Sequence, residues 1–206
     1  MSLISIPATL SAKRELRKRV LARRDALSPG ERAAASAKIR ERVLALPEFR
    51  DAKGVHGFVS FVEEVDTAPI MAACAAAGKA IYLPYINETR DRIGCALWGP
   101  EDSLVPGPFG TQEPPPASRG AVDLAAIDLV LMPGVAFDRR GGRLGYGKAY
   151  YDHFLAEVAA KRGSMPALVA LAFSVQIVEA VPLNAWDVRI PQIATERELI
   201  VSRDVP

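Results

Sequence analysis

Pro133-Gly-Val-Ala-Phe-Asp-Arg-Arg-Gly-Gly-Arg-Leu-Gly-Tyr-Gly-Lys-Ala-Tyr-Tyr-Asp152 is the stretch on which the reading of this chain turns. It follows an apolar run, Ile127-Asp-Leu-Val-Leu-Met132, passes through five glycines and enters a helical pattern over Tyr150 to Lys161. A strand apolar nearly throughout belongs in a sheet covered on both faces. Glycines between such a strand and a helix let backbone N–H groups turn toward an anion, and the helix N-terminus adds unpaired donors and a positive dipole end. Gly142 to Lys148 fits G-x-x-x-x-G-K, yet Ala149 stands where a P-loop needs Ser or Thr for magnesium. The dinucleotide pattern fails as well, because Tyr150 occupies the place of its third glycine. A plain glycine connection between strand and helix is the competing reading, and Arg143 and Lys148 inside the stretch favour an anion.

Upstream, Val55-His-Gly-Phe-Val-Ser-Phe61, Ala80-Ile-Tyr-Leu83 and Ile93 to Trp98 have strand character, and Leu168 to Phe173 follows downstream. Helical segments lie between them. Residues 10–27 predict a helix capped by Thr9 or Ser11, and Ser28-Pro-Gly-Glu31 opens a second one that Pro47 stops. Thr67 is placed to cap a third helix, ending at Gly78. Val105 to Pro116 holds five prolines in twelve residues and is expected to be a loop without regular structure. Alternation of strands and helices predicts an α/β fold, a single three-layer domain over 1–206 with a mostly parallel central sheet flanked by helices. Residues 1–10 are expected to form a flexible tail.

With 206 residues, 50% hydrophobic and 24% charged, the composition excludes wholesale disorder and a collagen-like fibre. The net charge of +2 conceals an asymmetry. Residues 1–50 carry 12 Lys and Arg against 5 Asp and Glu, a local excess suited to phosphates. Cys74 and Cys95 are too few for a disulfide framework, and His56 and His153 have no motif around them. Met1-Ser-Leu-Ile-Ser-Ile6 lacks the charged n-region and long apolar run of a secretory signal, and no apolar run approaches ~18 residues. The expectation is a cytoplasmic monomer with no membrane and no nucleic-acid partner.

The basic helix can be placed on a wheel of ~100° per residue. With Lys13 at 0°, Leu16, Val20 and Leu27 fall at about −60°, −20° and −40°, while Arg24 and Arg17 fall at about 20° and 40°. These three cations border the buried stripe, where long stems lie over apolar surface and present their heads at its edge. They are either a solvated rim or a reach toward a bound anion. Arg14, Lys18, Arg19 and Arg23 are assigned to the outward face, where an RNA-binding role or ordinary solvation accounts for them equally. Glu63, Glu64 and Asp66 follow the first strand at its C-terminal end, the ligand side of open α/β sheets; they either bind a polar ring or start a helix. Asp152 at the helix start is the nearest carboxylate for a metal beside the glycine stretch, and Asp187 lies in a loop.

In order along the chain, Lys13-x-x-Leu-Arg17, Ser60-Phe-x-x-Glu-Val-Asp-Thr67, Phe109-Gly-x-x-Glu-Pro114, Pro133-Gly-Val-Ala-Phe-Asp138 with Arg143-Leu-Gly-Tyr-Gly-Lys-x-Tyr-Tyr-Asp152, and Gln176-Ile-Val with Val181-Pro-x-x-x-x-Asp187 complete a pattern. It resembles the 5-formyltetrahydrofolate cyclo-ligase family. The resemblance implies conversion of the small-molecule substrate 5-formyltetrahydrofolate to 5,10-methenyltetrahydrofolate with ATP and Mg²⁺. In that chemistry the formyl oxygen is phosphorylated, N10 attacks, and ADP and phosphate leave. It implies that Lys13, Arg17, Arg143 and the backbone of Leu144, Gly145, Tyr146, Gly147, Lys148, Ala149, Tyr150 and Tyr151 meet ATP. Lys148 and Arg143 carry the catalytic charge, Asp152 and Asp187 hold the metal, and Glu64, Val59 and Tyr150 hold the pterin. Two positions depart from the family pattern, Ala149 where Gly is usual and Pro191 where Asp is common. If residue 149 needs a positive φ, its Cβ costs about 1 kcal/mol. A relative that keeps the nucleotide loop without folate turnover is the alternative.

Overall fold

The computed structural model describes residues 6–184 and 186–202. The chain runs through helices α1 (Ile6–Asp25), α2 (Pro29–Leu44) and α3 (Pro47–Asp51), strand β1 (Gly54–His56), helix α4 (Ala68–Ala76), and strands β2 (Ala80–Ile86) and β3 (Ile93–Trp98). Strands β4 (Val105–Pro106), β5 (Gln112–Glu113), β6 (Leu129–Met132), β7 (Ala136–Asp138) and β8 (Arg143–Leu144) precede helix α5 (Tyr150–Arg162). The chain finishes with β9 (Ala167–Leu171), β10 (Ile177–Val178), β11 (Gln192–Ala194) and β12 (Leu199–Val201). Seven strands form one sheet in the order β12-β11-β9-β6-β1-β2-β3. Its five inner strands are parallel, and antiparallel β3 and β12 close the two edges.

Alternation along the inner strands divides the core into two layers. Leu129, Leu131, Val169 and Leu171 pack with Ile39 and Val43 of α2, Phe49 of α3 and Ile70 of α4. Val130, Met132, Leu168 and Ala170 pack on the opposite face with Phe154, Leu155 and Val158 of α5. This is the three-layer α/β domain that the alternation of elements predicts. A third apolar cluster joins Leu16 and Val20 of α1 to Val135, Ala136, Leu144 and Val181. Helix α1 therefore rests on a second, three-stranded sheet, β10-β7-β8, rather than on the main one.

Local chemistry explains where the elements depart from expectation. Helix α1 begins at Ile6, so neither Thr9 nor Ser11 is its cap. Of the tail expected over 1–10, residues 1–5 lie outside the described residues and the rest enter this helix. Ser28 and Glu31 form the expected reciprocal cap of α2, while Pro47 opens the short α3 at its first turn as well as ending what precedes it. Thr67 precedes α4, but its hydroxyl donates to the Phe58 carbonyl at 2.6 Å; the Asp66 carboxylate accepts the Ala68 N–H instead.

Strand β1 stops at His56 although Val55 to Phe61 has strand character. After Gly57 donates to Tyr82 at 2.9 Å, the backbone groups of this segment turn to side chains, Phe58 to Thr67 and Phe61 to Glu64. The Pro-rich stretch is not devoid of pairing either. Buried Glu113 accepts from Thr111, Ile86 and Arg119, and these bonds fold β4 against β5. The glycine-rich stretch is likewise two structures. Asp138 accepts the N–H groups of Arg140 and Gly142, and Gly141 at φ 82° turns a β7–β8 hairpin before the loop proper starts at Gly145. Strands β11 and β12 carry no distinctive sequence pattern beyond Gln192-Ile-Ala and Leu199-Ile-Val.

Among the described residues no helix is long and apolar enough to cross a membrane. Burial pushes the thiols of Cys74 and Cys95 up to about 11 and about 12, so both stay protonated.

His56 is fully buried on β1, its ring 4.4 Å from Phe154 and 5.9 Å from Tyr151 between centroids. Burial lowers its pKa from 6.5 to about 3, so the folded state keeps it neutral while the unfolded chain protonates it below pH 6.5. The folded pKa is depressed, so its contribution is whole above pH 6.5 and is lost as pH falls toward 3, at about 1.4 kcal/mol per unit. Denaturant unfolding of wild type and His56→Phe should give a stability difference that is flat above pH 7 and shifts toward the variant on acidification. Parallel curves from pH 7 to 4 would contradict this assignment.

Candidate active site

Helix α1, the loop between β8 and α5, the segment after β1 and the β5 turn surround a cavity of about 710 Å³. Its walls include every site residue named from the sequence: Lys13, Arg17, Val59, Glu64, the run Arg143 to Asp152, and Asp187. The cavity lies beyond the C-terminal ends of β1 and β6, where parallel strands stop and their connections diverge.

One face of α1 supplies three contacts. Lys13 Nζ donates to Asp187 Oδ2 at 2.6 Å, Arg17 Nε donates to the Gly145 carbonyl at 3.0 Å, and Arg24 donates to the Tyr146 hydroxyl at 2.9 Å. The wheel placed these three cations beside the buried stripe, and Leu16 and Val20 between them are buried. Burial lowers the pKa of Arg17. Arg14, Lys18, Arg19 and Arg23 are exposed and stand outside the cavity.

The glycine loop presents its backbone to the cavity. At Gly147, φ is 101°, a backbone conformation that L side chains rarely adopt and that favours glycine. Lys148 is exposed, with its ammonium 5.6 Å from the ring centre of Phe109 across the cavity mouth. The N-terminus of α5 follows at Tyr150, and no side chain caps it. Its first N–H groups and dipole therefore face the same space as the cations.

Both candidate metal carboxylates line this cavity, each balanced by a cation. Asp152 Oδ2 accepts from Arg143 at 3.0 Å and its other oxygen from the Val188 N–H at 3.3 Å. Asp187 accepts from Lys13 and from the Asn184 N–H at 2.8 Å. Arg143 also stacks near Tyr151, 5.8 Å from the ring centre, and its Nε is buried without a protein partner. A buried donor left unpaired in a cavity wall fits an anionic oxygen. The carboxylates of Asp152 and Asp187, both on the cavity wall, are hard oxygen donors of the kind a magnesium ion takes.

Also in the cavity wall, Glu64 is buried and Val59 is half-buried. Glu64 accepts the Tyr146 hydroxyl at 2.7 Å and the Phe61 N–H at 3.1 Å. Its carboxyl is pushed up by burial, against which Tyr146, the Phe61 N–H and the Arg24 charge act, while Glu63 adds a smaller push upward. Of the three acids after β1, only Glu64 enters the cavity; Asp66 is spent on the cap of α4. Tyr150 lines the cavity with its hydroxyl donated to the Arg90 carbonyl at 2.8 Å.

Sequence reasoning left three contributors without a role. Phe109 sits in a quoted motif, yet its place against Lys148 depends on the folding of the Pro-rich stretch. Tyr85 lines the wall under Arg119, whose guanidinium lies 4.7 Å from its ring centre. Arg24 carried a wheel position and no partner. No motif marks any of these contacts.

A profile described as the 5-formyltetrahydrofolate cyclo-ligase family matches residues 9–196. The 5-formyltetrahydrofolate cyclo-ligase of Mus musculus is 30% identical over 191 residues, covering 90% of this chain and 94% of its own. That of Escherichia coli strain K12 is 31% identical over 174 residues, covering 84% and 94%. An NMR structure of Aquifex aeolicus 5,10-methenyltetrahydrofolate synthetase superposes with a TM-score of 0.76 at 33% identity, covering 94% of each chain.

Ala149, at the junction of loop and helix, has φ 54° and ψ 19°, the left-handed region, where its Cβ is strained. Replacing Ala149 by Gly should therefore raise unfolding stability by about 1 kcal/mol, read by chemical denaturation. Unchanged or lower stability would show that the residue carries no such strain.

Proposed function

The chain belongs to the 5-formyltetrahydrofolate cyclo-ligase family, and on that footing we propose that it converts 5-formyltetrahydrofolate to 5,10-methenyltetrahydrofolate with ATP and Mg²⁺. The observation that carries this reading is that one continuous cavity is lined both by the cations around the glycine loop and by the buried carboxylate of Glu64. Direct phosphoryl transfer needs both reactants in one space, held in line and shielded from water.

Lys13, Arg17, Arg143 and Lys148 supply four positive charges around the glycine loop. In this reading they meet the triphosphate together with the loop N–H groups and the start of α5. Asp152 and Asp187 would hold the magnesium ion, which when bound neutralises charge on the phosphates. Lys13 and Arg143 now pair with those two carboxylates, so ligand entry exchanges these ion pairs for contacts to phosphate and metal.

Glu64 receives N–H donors of the pterin, with Val59 and Tyr150 beside the ring. This orients the formyl oxygen toward the cations around the glycine loop. The oxygen attacks the terminal phosphorus and ADP leaves; the amide is thereby turned into an imidate phosphate with a good leaving group. N10 then attacks the formyl carbon, phosphate departs with its C–O bond, and the N10 proton is lost as the five-membered ring closes. Lys148 and Arg143 stabilise charge on the transferring group, and the chemistry calls for no histidine base. Buried, neutral His56 fits that economy.

Mixing the protein with Mg-ATP and 5-formyltetrahydrofolate should generate the conjugated methenyl chromophore. Lys148→Ala should lower kcat/KM by about 100-fold without loss of folding, because the side chain is exposed and forms no core contact. ATP binding without chromophore in the wild type would instead favour a nucleotide-binding relative lacking folate turnover. Full activity in Lys148→Ala would remove the assigned role.

A further inference from the structure

Arg24 is the one cation of the α1 face that the proposed chemistry does not use, and it is also the most buried, 5% exposed. Desolvating a guanidinium is costly unless its donors are met by acceptors and a counter-charge. Here one N–H reaches Tyr146 Oη at 2.9 Å, Nε reaches Asp25 at 3.1 Å, and Glu64 Oε1 lies 3.8 Å away. Tyr146 Oη in turn donates to that same Glu64 oxygen at 2.7 Å. The three side chains come from α1, the glycine loop and the segment after β1, separated by 122 and 82 positions in the bonded pairs.

The direction of the bonds matters. Tyr146 accepts from a permanent cation and donates to a carboxylate, a chain of like polarity in which each bond strengthens the next. A protonated Glu64 would weaken its last link. Burial drives Glu64 toward that protonated form, and within the protein the counter-charge facing it is Arg24. The other titratable groups that face it are Tyr146, which burial keeps protonated, Glu63 on its own segment and Tyr151 on α5. Neither Glu63 nor Tyr151 favours the anion.

We propose that Arg24 is a positioning residue for the folate end of the site: acting through Tyr146, it keeps Glu64 an aligned anion, which selects a heterocycle edge made of N–H donors. A neutral carboxyl would offer one donor and one good acceptor to that edge and would mismatch it. The inference rests on the folate reading given above, and its geometry adds a consequence for the loop. Arg17 holds the Gly145 carbonyl and Arg24 holds the Tyr146 side chain from the same helix face, seven residues apart. Alignment of Glu64 thus depends on the same loop that meets the nucleotide.

The test uses the full chain with Arg24→Met, Arg24→Lys and Tyr146→Phe. In ligand-free protein labelled at glutamate carboxyl carbons, with the Glu64 signal assigned through Glu64→Gln, Arg24→Met should move the Glu64 titration upward by about one pH unit, equivalent to tenfold. Tyr146→Phe should move it in the same direction, and Arg24→Lys should largely restore it. In turnover, Arg24→Met should raise KM for 5-formyltetrahydrofolate roughly tenfold near neutral pH, with a smaller rise at alkaline pH, while KM for Mg-ATP changes less than about threefold. If Arg24→Met does not fold, the Tyr146→Phe and Arg24→Lys titrations decide. An unmoved Glu64 titration in the folded variants, or losses equal for both substrates and independent of pH, would overturn the proposal. Absence of turnover in the wild type would defeat the cyclo-ligase reading alone, since the titration is read without substrate.

Discussion

Much of this structure depends on the grip of α1 on the glycine loop. That loop has few side chains with which to hold itself, and its glycines make every ordered conformation entropically expensive. Lys13, Arg17 and Arg24 reach it or its neighbour Asp187 from one helix face, while Leu16 and Val20 fasten the helix to β7 and β8 below. The apolar contacts set where the helix lies. The charged heads then set where the loop lies.

The same arrangement pairs two of the cavity's cations with carboxylates. Lys13 faces Asp187 and Arg143 faces Asp152, each partly buried. Neighbouring cations repel one another in a low-dielectric wall, and the two carboxylate pairs reduce that repulsion.

Strain is concentrated where the site opens. Ala149 and Phe109 both hold left-handed backbone, at φ 54° and 61°, on the two sides of Lys148 in space. Neither is glycine, and in each case neighbouring structure over-determines the conformation: α5 begins directly after Ala149, and Phe109 sits in the turn that buried Glu113 closes.

Periodicity and local chemistry made the three-layer fold legible. Leu129 to Met132 could be read as a doubly covered strand, Ser28 to Glu31 as a helix start, and Lys13, Arg17 and Arg24 as one face of a helix, because each property resides in residues close along the chain. The motif order also carried the family, and with it the candidate residues of the cavity. Local pattern could not show that the glycine stretch contains a hairpin, since that depends on the Asp138 carboxylate, which collects its turn N–H groups and also the N–H of distant Val181. Nor could it place Phe109 over Lys148 or join Arg24, Tyr146 and Glu64. Those contacts lie between segments many tens of residues apart. Only packing of the segments decides which polar heads, once removed from water, must satisfy one another.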